Sequence, residues 1–427
     1  MMNRRRSLCR FYTSEYRQGF GDVWVLYLTT IVAFKRLYWG VTVRFCAGYC
    51  MPGLFQTMPD DYTENLMPPP GARVLIAMSG GVDSAAVAAI MVEAGYDCLG
   101  VTLRMTPEPE SKPVFEPCCG LQAARDAFRI CEQLGMPHRT LRIIEAFDRH
   151  IIGHFTNQYA RGRTPNPCIR CNRMIKFGLL FRQARAWGYD YVAMGHYARL
   201  RMRTGRLALQ RGVHRDKDQS YVLAPLTQAQ LRRSCFPLGA MTKAQARAIA
   251  AAHDAVVGDK AESQEICFVA DRNYGRIVEA RHGPFPPGPI RDLEGRLLGT
   301  HQGIHRYTIG QRRGLGVSAE QPLYVLRIEH ETNTLIVGRD AQSLCAHFRT
   351  GPLFWGGMGP QQAPFQALAQ LRYRHEPTPG AVTPTASGAD IRLDVGQRAV
   401  TPGQWAVFYD LDGCVLASAE VHKYWLG

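Results

Sequence analysis

Residues 77–87, with the sequence AMSGGVDSAAV, limit the possible folds of this chain more than any other stretch. They follow the apolar run VLI and lead into small and apolar residues at helical spacing, which predicts a buried strand, a tight turn and a helix. A turn that carries two glycines and two serines lets backbone N–H groups approach a ligand at the start of that helix. The pattern therefore predicts an α/β fold with an anion-binding loop.

The alternation of strand and helix patterns continues to about residue 200. The later segments are CLGVTLRM, LQAARDAFRICEQLGM, HRTLRII, FGLLFRQARAWGY and DYVAMGHYARL. Strands that alternate with helices are typical of an open parallel sheet covered on both faces, whose ligands bind at the carboxyl ends of the strands. We therefore expect residues 78–84, Leu103 and the Gly195-His196 pair to lie along one edge of the sheet.

The loop chemistry points to a nucleotide. The loop lacks the Gly-Lys-Ser/Thr ending of a Walker A motif, but its glycines, serine hydroxyls and helix N-terminus suit a phosphate chain. Asp83 would repel phosphate unless a Mg²⁺ ion lies between them. We therefore predict a nucleotide site that holds a pyrophosphate with bound magnesium.

The composition changes from about Arg272 onward. A stretch dense in Gly, Pro and Arg gives way to short alternating runs, such as PLYVLRIEHETNTLIVG, and to a turn at Asp412-Gly413. These patterns predict hairpins. We expect an ATP-binding domain over residues 71–271, a small central linking domain over 272–345, and a C-terminal β-barrel, with a sandwich as the alternative, over 346–427.

Charge and cysteine content narrow the class of partner and the compartment. The formal net charge is +15 at pH 7, which favours a polyanionic partner such as nucleic acid. Thirteen cysteines without a regular disulfide spacing or a secretory signal favour a reducing cytoplasm. The arginine-rich residues 1–70 contain an apolar stretch too short for a bilayer span; we interpret this extension as a mis-assigned start or a transit peptide, with Met58 or Met67 as the alternative start.

A second informative stretch, GRTPNPCIRCNRMIKFG, carries the cysteine pair Cys168 and Cys171. Arginine and lysine residues surround the pair, and nearby cations lower the pKa of a thiol toward the reactive thiolate. A basic loop also suits a phosphodiester backbone. Half of a structural zinc site is the alternative, although no second cysteine or histidine pair follows at zinc-finger spacing. Cys267 is a third candidate, and we interpret the adjacent Cys118 and Cys119 as structural or incidental.

The string SGGVDS resembles the signature of the N-type ATP pyrophosphatases. Together with GRTPNPCIRCN, GHYAR, KDQSYVL, SQEICF, HQGIHRYTIGQRRGLG and RYRHEP, in this order, it is similar to the tRNA 2-thiouridylase family. The resemblance implies adenylation of uridine 34 at the wobble position of the tRNAs for Lys, Glu and Gln, followed by sulfur transfer. It also implies ATP and Mg²⁺ as cofactors and a persulfide-carrying protein as the sulfur donor.

The same resemblance assigns roles to single residues. Cys171 would be the nucleophile and Cys267 the persulfide carrier. The residues implied to contact ATP are Ala77, Met78, Ser79, Gly80, Gly81, Val82, Asp83, Ser84, Leu103 and Gly195. Those implied to contact the target base or the tRNA are Asn166, Pro167, Cys168, Lys217, Asp218, Gln219, Arg372 and Tyr373.

Two questions stay open at this level. Members of the family often have an aspartate where this chain has Cys168, so Cys168, Cys171 and Cys267 could instead hold a [4Fe-4S] cluster with one open iron. The persulfide route would use thiol–disulfide exchange between Cys171 and Cys267. Rival functions are another adenylating enzyme that acts on a small metabolite, and a non-catalytic tRNA-binding protein.

Overall fold

The structure, a computed structural model, describes residues 65–107, 121–253, 266–269 and 273–426. The predicted extension up to residue 64 and the pair Cys118-Cys119 lie outside these ranges. Within the described residues, no helix combines the length and apolar character that crossing a membrane requires.

The first part of the chain forms a five-stranded parallel sheet in the order β3-β2-β1-β4-β7. Its strands are β1 (Arg73–Ala77), β2 (Asp97–Arg104), β3 (His138–Arg142), β4 (Tyr191–Ala193) and β7 (Ser234–Cys235). In the register, Leu75 of β1 lies beside Leu99 of β2 and Val192 of β4. The chain order reverses next to β1, so a crevice opens at the carboxyl end of this strand. The predicted open parallel sheet is confirmed.

Helices cover this sheet and connect its strands. They are α1 (Val82–Glu93), α2 (Leu121–Gln133), α3 (residues 144–160), α4 (residues 167–186), α5 (Ser220–Leu223), α6 (Gln228–Leu231), α7 (Lys243–His253) and α8 (Tyr274–His282). Both α3 and α4 contain π-helical segments, Asp148–Ile152 and Asn172–Leu179. The sequence patterns above did not predict α3.

One predicted strand is in fact two. The stretch DYVAMGHYARL is divided between β4 in the parallel sheet and β5 (Ala198–Arg203), which pairs with β6 (Arg206–Arg211) in a separate hairpin. Residues 194–197 leave the sheet at its carboxyl edge. This turn away from the sheet brings Gly195 and His196 next to the loop that follows β1.

The predicted hairpins of the second half are present. A four-stranded sheet contains β8 (Gly288–Arg291), β9 (Leu297–His301), β10 (Tyr324–Glu329) and β11 (Thr334–Gly338). It is followed by β12 (Leu344–Thr350), β13 (Phe354–Trp355), β14 (Phe365–Gln370), β15 (Thr378–Thr385), β16 (Gly388–Arg398), β17 (Trp405–Tyr409) and β18 (Val415–Trp425).

The C-terminal strands form a closed barrel. The order is β12-β16-β15-β14-β17-β18, and β12 pairs again with β18, which closes six strands into a ring; β13 is added beside β18. The barrel has an apolar interior that includes Phe348, Ile391 and Phe408. Closure leaves the six ring strands without a free edge. The predicted barrel is therefore confirmed, and the sandwich alternative is wrong.

Candidate active site

The loop after β1 is held by its own serines. The Ser79 backbone N–H and hydroxyl both lie 3.2 Å from Ser84 Oγ, and the Ser84 hydroxyl donates to the Gly81 carbonyl at 2.9 Å. Gly80 has φ +68°, and a Cβ at this position would lie 2.2 Å from the Ala123 carbonyl oxygen. Only glycine therefore fits where the loop passes α2. The result is a tight loop at the N-terminus of α1, with Ser79 exposed, and this arrangement fits a phosphate chain.

The remaining residues implied to contact ATP lie at the same edge of the sheet. Ala77 ends β1, Leu103 lies one residue before the end of β2, and the Met78 N–H donates to the Val101 carbonyl at 2.8 Å. Val82 and Ser84 are buried in the first turn of α1. The fold therefore places the predicted nucleotide residues at one edge, as the strand order requires.

Gly195 closes the loop from the β4 side. A Cβ at Gly195 would lie 2.9 Å from Asp83 Cβ and 3.1 Å from the Asp83 carbonyl carbon. The two predicted residues are thus in close contact, although 112 positions separate them in the sequence. A side chain at position 195 would have to displace the start of α1.

Two residues at this site were missed by the sequence analysis. The Tyr197 hydroxyl and the Lys243 ammonium both donate to Asp83 Oδ1, each at 2.7 Å. A sequence signal existed for Lys243, because Thr242 and Gln245 form the T-x-x-Q capping pattern that starts a helix. The Asp83 side chain keeps 35% of its surface exposed, which fits an oxygen ligand for a cation such as Mg²⁺.

The cysteine pair opens helix α4. The Asn166 side chain caps this helix by accepting a hydrogen bond from the Ile169 N–H at 3.1 Å, and Pro167 occupies the first helical position. Both choices are typical of helix starts. Cys168 is exposed, whereas Cys171, one turn later, is buried. The predicted base-contacting residues Asn166 and Pro167 therefore also have a clear role in starting the helix.

Cys267 packs against the same hydrophobic cluster to which Cys171 belongs. The neighbouring Phe268 ring makes edge contacts with Phe147 and Phe155 of α3, at centroid distances of 5.9 and 5.1 Å. A segment more than ninety residues downstream in the sequence is thereby anchored on α3, which itself contacts the start of the cysteine helix. Cys171 and Cys267 therefore border one hydrophobic cluster.

The arrangement of the cysteines does not match a metal centre. Within the described part of the chain, which includes Cys168, Cys171 and Cys267, no group of three or more His, Cys, Asp or Glu side chains is placed to hold a metal ion. Cys168, Cys171 and Cys267 as positioned here therefore do not fit a [4Fe-4S] cluster.

Five other described cysteines are buried away from this region. Burial raises the pKa of the Cys98 and Cys131 thiols to about 12, and it also raises the pKa of the Cys235, Cys345 and Cys414 thiols. Since the thiolate is the reactive form, these cysteines are inert at neutral pH. Cys168, Cys171 and Cys267 remain as the described candidates for sulfur chemistry.

Arginines surround the cysteine helix. Arg170 Nε donates to the His150 carbonyl at 2.6 Å, and the Arg173 guanidinium lies 4.3 Å from the centre of the Phe354 ring. Burial lowers the pKa of both guanidinium groups. Within the described residues neither forms an ion pair with a carboxylate at contact distance. Half-buried cations of this kind are suited to an anionic ligand such as a phosphodiester.

His196 lies between this helix and the nucleotide loop. Its ring is near Phe177 of α4 and Phe236, with centroids at 6.0 and 6.1 Å. Burial, assisted by the nearby Lys176 cation, holds the pKa of His196 well below its ordinary value. The imidazole is therefore neutral at physiological pH and acts as a packing element between Gly195 and α4.

The residues implied to contact tRNA are placed unevenly. The Asp218 carboxylate accepts from the Gly212 and Ser220 N–H groups and from the Ser220 hydroxyl, and Gln219 Oε1 accepts from the Tyr197 N–H. These two side chains organise the loop itself, while Lys217 is partly exposed. On the barrel side, Arg372 donates to the Ala399 carbonyl at 2.6 Å, and Tyr373 is 38% exposed.

Three family models match the described units of the chain. A tRNA methyl transferase HUP domain matches residues 72–271, a tRNA methyl transferase PRC-barrel domain matches 278–339, and an aminomethyltransferase beta-barrel domain matches 346–421. The first model belongs with the parallel sheet, the second with the four-stranded sheet and the third with the closed barrel.

Whole-length relatives agree with these matches. The tRNA-specific 2-thiouridylase MnmA of Heliobacterium modesticaldum is 42% identical, and the match covers 80% of this chain and 90% of the relative. The proteins of the same name from Geotalea uraniireducens and Roseiflexus sp. are 45% and 44% identical; these matches cover 80% of this chain and 92% and 97% of those relatives. With its three domain matches in order and this identity along nearly the full length of its relatives, the chain belongs to the tRNA-specific 2-thiouridylase family.

Proposed function

We propose that this protein is an ATP-dependent tRNA-uridine 2-sulfurtransferase. The observation that carries the proposal is the junction of two sites: the cysteine helix packs through Phe177 against His196, and the adjacent Gly195 touches Asp83 of the nucleotide loop. A uridine held at the cysteine helix would lie near the phosphates of a nucleotide held at the loop. Family membership supports the same activity, and it favours neither a small-metabolite enzyme nor a non-catalytic tRNA-binding protein.

The nucleotide site would activate the base. ATP supplies the adenylyl group that converts O2 of uridine 34 into a leaving group, with Mg²⁺ as its counterion. We assign the cradle of the pyrophosphate to residues 77–84, with Leu103 and Gly195 closing its sides. Holding the phosphates in one geometry supplies the alignment that such a transfer requires.

The cysteines would deliver the sulfur. The terminal sulfur of a Cys267 persulfide attacks C2, and AMP departs with the former O2. The Cys171 thiolate then attacks Cys267 Sγ, the persulfide S–S bond breaks, and 2-thiouridine leaves beside a Cys171–Cys267 disulfide. An external thiol reduces the disulfide, and a persulfide-carrying protein reloads Cys267.

The tRNA would cover both halves of the molecule. We assign recognition of the base to Asn166, Pro167 and Cys168, and contacts with the tRNA to residues 217–219 and to Arg372 and Tyr373. The expected acceptors are the tRNAs for Lys, Glu and Gln. The domain division at residues 71–271, 272–345 and 346–427 belongs to the same proposal, with ATP in the first domain and tRNA across the first and third.

Cysteine variants test the sulfur route. Metal-free protein is incubated with ATP–Mg²⁺, an unmodified tRNA-Glu transcript and a persulfide donor, and 2-thiouridine is measured by mass spectrometry. Cys267→Ser should form adenylated tRNA but no 2-thiouridine, because the carrier is lost. The matched control Cys414→Ser, which replaces a buried thiol outside this route, should retain most of the activity.

Two outcomes would contradict this route. If Cys267→Ser thiolates normally, Cys267 is not the carrier. If metal-free protein is inactive, anaerobic iron and sulfide restore it, and Cys168→Ser abolishes the restored activity, then the three cysteines hold a cluster. Failure of the intact protein under both conditions would reject the sulfurtransferase proposal.

A further inference from the structure

Lys243 is the first residue of helix α7 and points its ammonium group into the start of α1. Its Nζ lies 2.7 Å from Asp83 Oδ1, and only 11% of the lysine side chain is exposed. The two helices pack along each other, so this contact lies at their shared N-terminal ends. Position 243 is 160 residues from Asp83 in the sequence.

The position is unfavourable for a lysine by local rules. Thr242 and Gln245 form reciprocal hydrogen bonds that start α7, which fixes residue 243 in the first turn. A cation there opposes the helix dipole, and burying an ammonium group costs free energy unless a charge compensates it. Residues that break local rules are expected at functional sites. Asp83 supplies the compensating charge. The contact with this carboxylate therefore explains why a lysine occupies position 243.

The surroundings fix the pair in one arrangement. The Tyr197 hydroxyl donates to the same oxygen, Asp83 Oδ1, at 2.7 Å. His214 Nδ1 accepts from the Lys243 backbone N–H at 3.0 Å, and the His214 ring meets the edge of Tyr197. Both donors converge on Oδ1, and within the described part of the chain Asp83 Oδ2 receives no hydrogen bond. The carboxylate is thus oriented with one oxygen left for another ligand.

We propose that Lys243 is a positioning residue that neutralises Asp83 at the nucleotide site and leaves Asp83 Oδ2 for the cation that accompanies ATP. This inference rests on the proposed function, in which the loop holds the phosphates of ATP. An unpaired carboxylate at that loop would repel a polyphosphate, whereas the Asp83–Lys243 pair has no net charge. The pair therefore allows the nucleotide to bind before the cation is in place.

A double-mutant cycle tests the proposal through binding instead of turnover. The dissociation constant of ATP is measured by equilibrium dialysis in EDTA, and again across a Mg²⁺ titration. Lys243→Met should weaken metal-free ATP binding about tenfold or more, because Asp83 is left uncompensated. Asp83→Asn should not weaken metal-free binding and should lose the response to Mg²⁺. The double variant should bind metal-free ATP within about threefold of the intact protein.

Two controls keep the outcome decisive. Lys423→Met on the barrel makes the same change in net charge away from the loop and should leave ATP binding unchanged. Lys243→Arg keeps the charge and should retain metal-free binding even if the methionine variant folds poorly, which circular dichroism would reveal. Metal-free affinity that is unchanged in Lys243→Met, or equally weak in the double variant, overturns the proposal. If the intact protein binds no ATP at all, the proposed function fails instead.

Discussion

His154 is a single residue whose environment sets a pH dependence. It lies on α3 beside the cysteine helix, and burial, together with the nearby Arg170 and Arg163 cations, lowers its pKa from 6.5 to about 4. The folded protein therefore keeps this imidazole neutral where the unfolded chain would already be protonated. Stability that depends on the neutral ring is present above pH 6.5 and is lost as the pH falls from 6.5 toward 4.

Replacement of His154 by Gln should flatten this part of the pH profile. The intact protein should lose on the order of 1–2 kcal/mol more unfolding free energy between pH 7 and pH 4.5 than His154→Gln, because the glutamine cannot bind a proton. This figure is smaller than the full pKa shift implies because solvent screens the partly exposed ring. Urea unfolding at the two pH values measures the difference. Equal losses in both proteins would show that His154 does not carry the effect.

At the scale of elements, Asn166 at the start of the cysteine helix has two proposed roles, which experiments can separate. The family resemblance implies that Asn166 faces the target base, whereas the structure shows its side chain capping α4. The sequence Asn-Pro-Cys is itself a helix-start pattern, so this helix boundary was predictable from local residues. Capping requires only the side-chain oxygen of Asn166, whereas contact with the base would use the whole amide.

Asn166→Asp and Asn166→Ala distinguish these explanations. Both replacements remove the amide, but aspartate keeps the capping oxygen. If capping dominates, Asn166→Ala should lose about 1 kcal/mol of stability and much of the thiolation activity, while Asn166→Asp keeps both. Thermal unfolding and 2-thiouridine formation are the two measurements. Loss of activity in Asn166→Asp with unchanged stability would instead support contact with the base.

At the scale of the whole molecule, the barrel and the ATP-binding half share one hydrophobic core. Trp405, Val407 and Tyr409 of β17 belong to the same cluster as residues of the parallel sheet. Polar contacts reinforce this junction: the Tyr221 hydroxyl donates to the Trp405 carbonyl at 2.9 Å, and the Ser220 and Tyr409 hydroxyls lie 3.0 Å apart. A tRNA bound across these two halves would therefore meet a fixed surface.

Trp405→Ala should destabilise both halves together. Removal of this buried ring is expected to cost about 3–5 kcal/mol, and because the core is shared, calorimetry should show one transition at a lower temperature. A non-hydrolysable ATP analogue binds the ATP-binding half and should raise the temperature of that single transition. The contrary result would be two separate transitions, of which Trp405→Ala shifts only the one that does not respond to the nucleotide. That result would mean that the barrel unfolds independently.

Local patterns in the sequence were sufficient to predict many of the strands, turns and helices of this protein. The strand, glycine loop and helix at residues 73–93 and the hairpin of β10 and β11 follow from spacing within a few residues, because dihedral preferences, capping and hydrophobic period act over that range. The C-terminal strands were predicted in the same way, while the choice of barrel over sandwich depended on which strands pair. The cysteine segment was interpreted as a loop, and this was wrong: Asn166 and Pro167 start helix α4 there.

Tertiary structure alone decided the contacts between distant residues. Lys243 and Tyr197 reach Asp83 across 160 and 114 positions, and Ser220 reaches Tyr409 across 189. Tertiary structure also decided that residues 191–203 divide into strands of two different sheets. Such contacts depend on how the sheet orders its strands and on which helices then lie together. The sequence by itself therefore determined the chemical groups and their local geometry, and the packing of elements determined which carboxylate meets which cation.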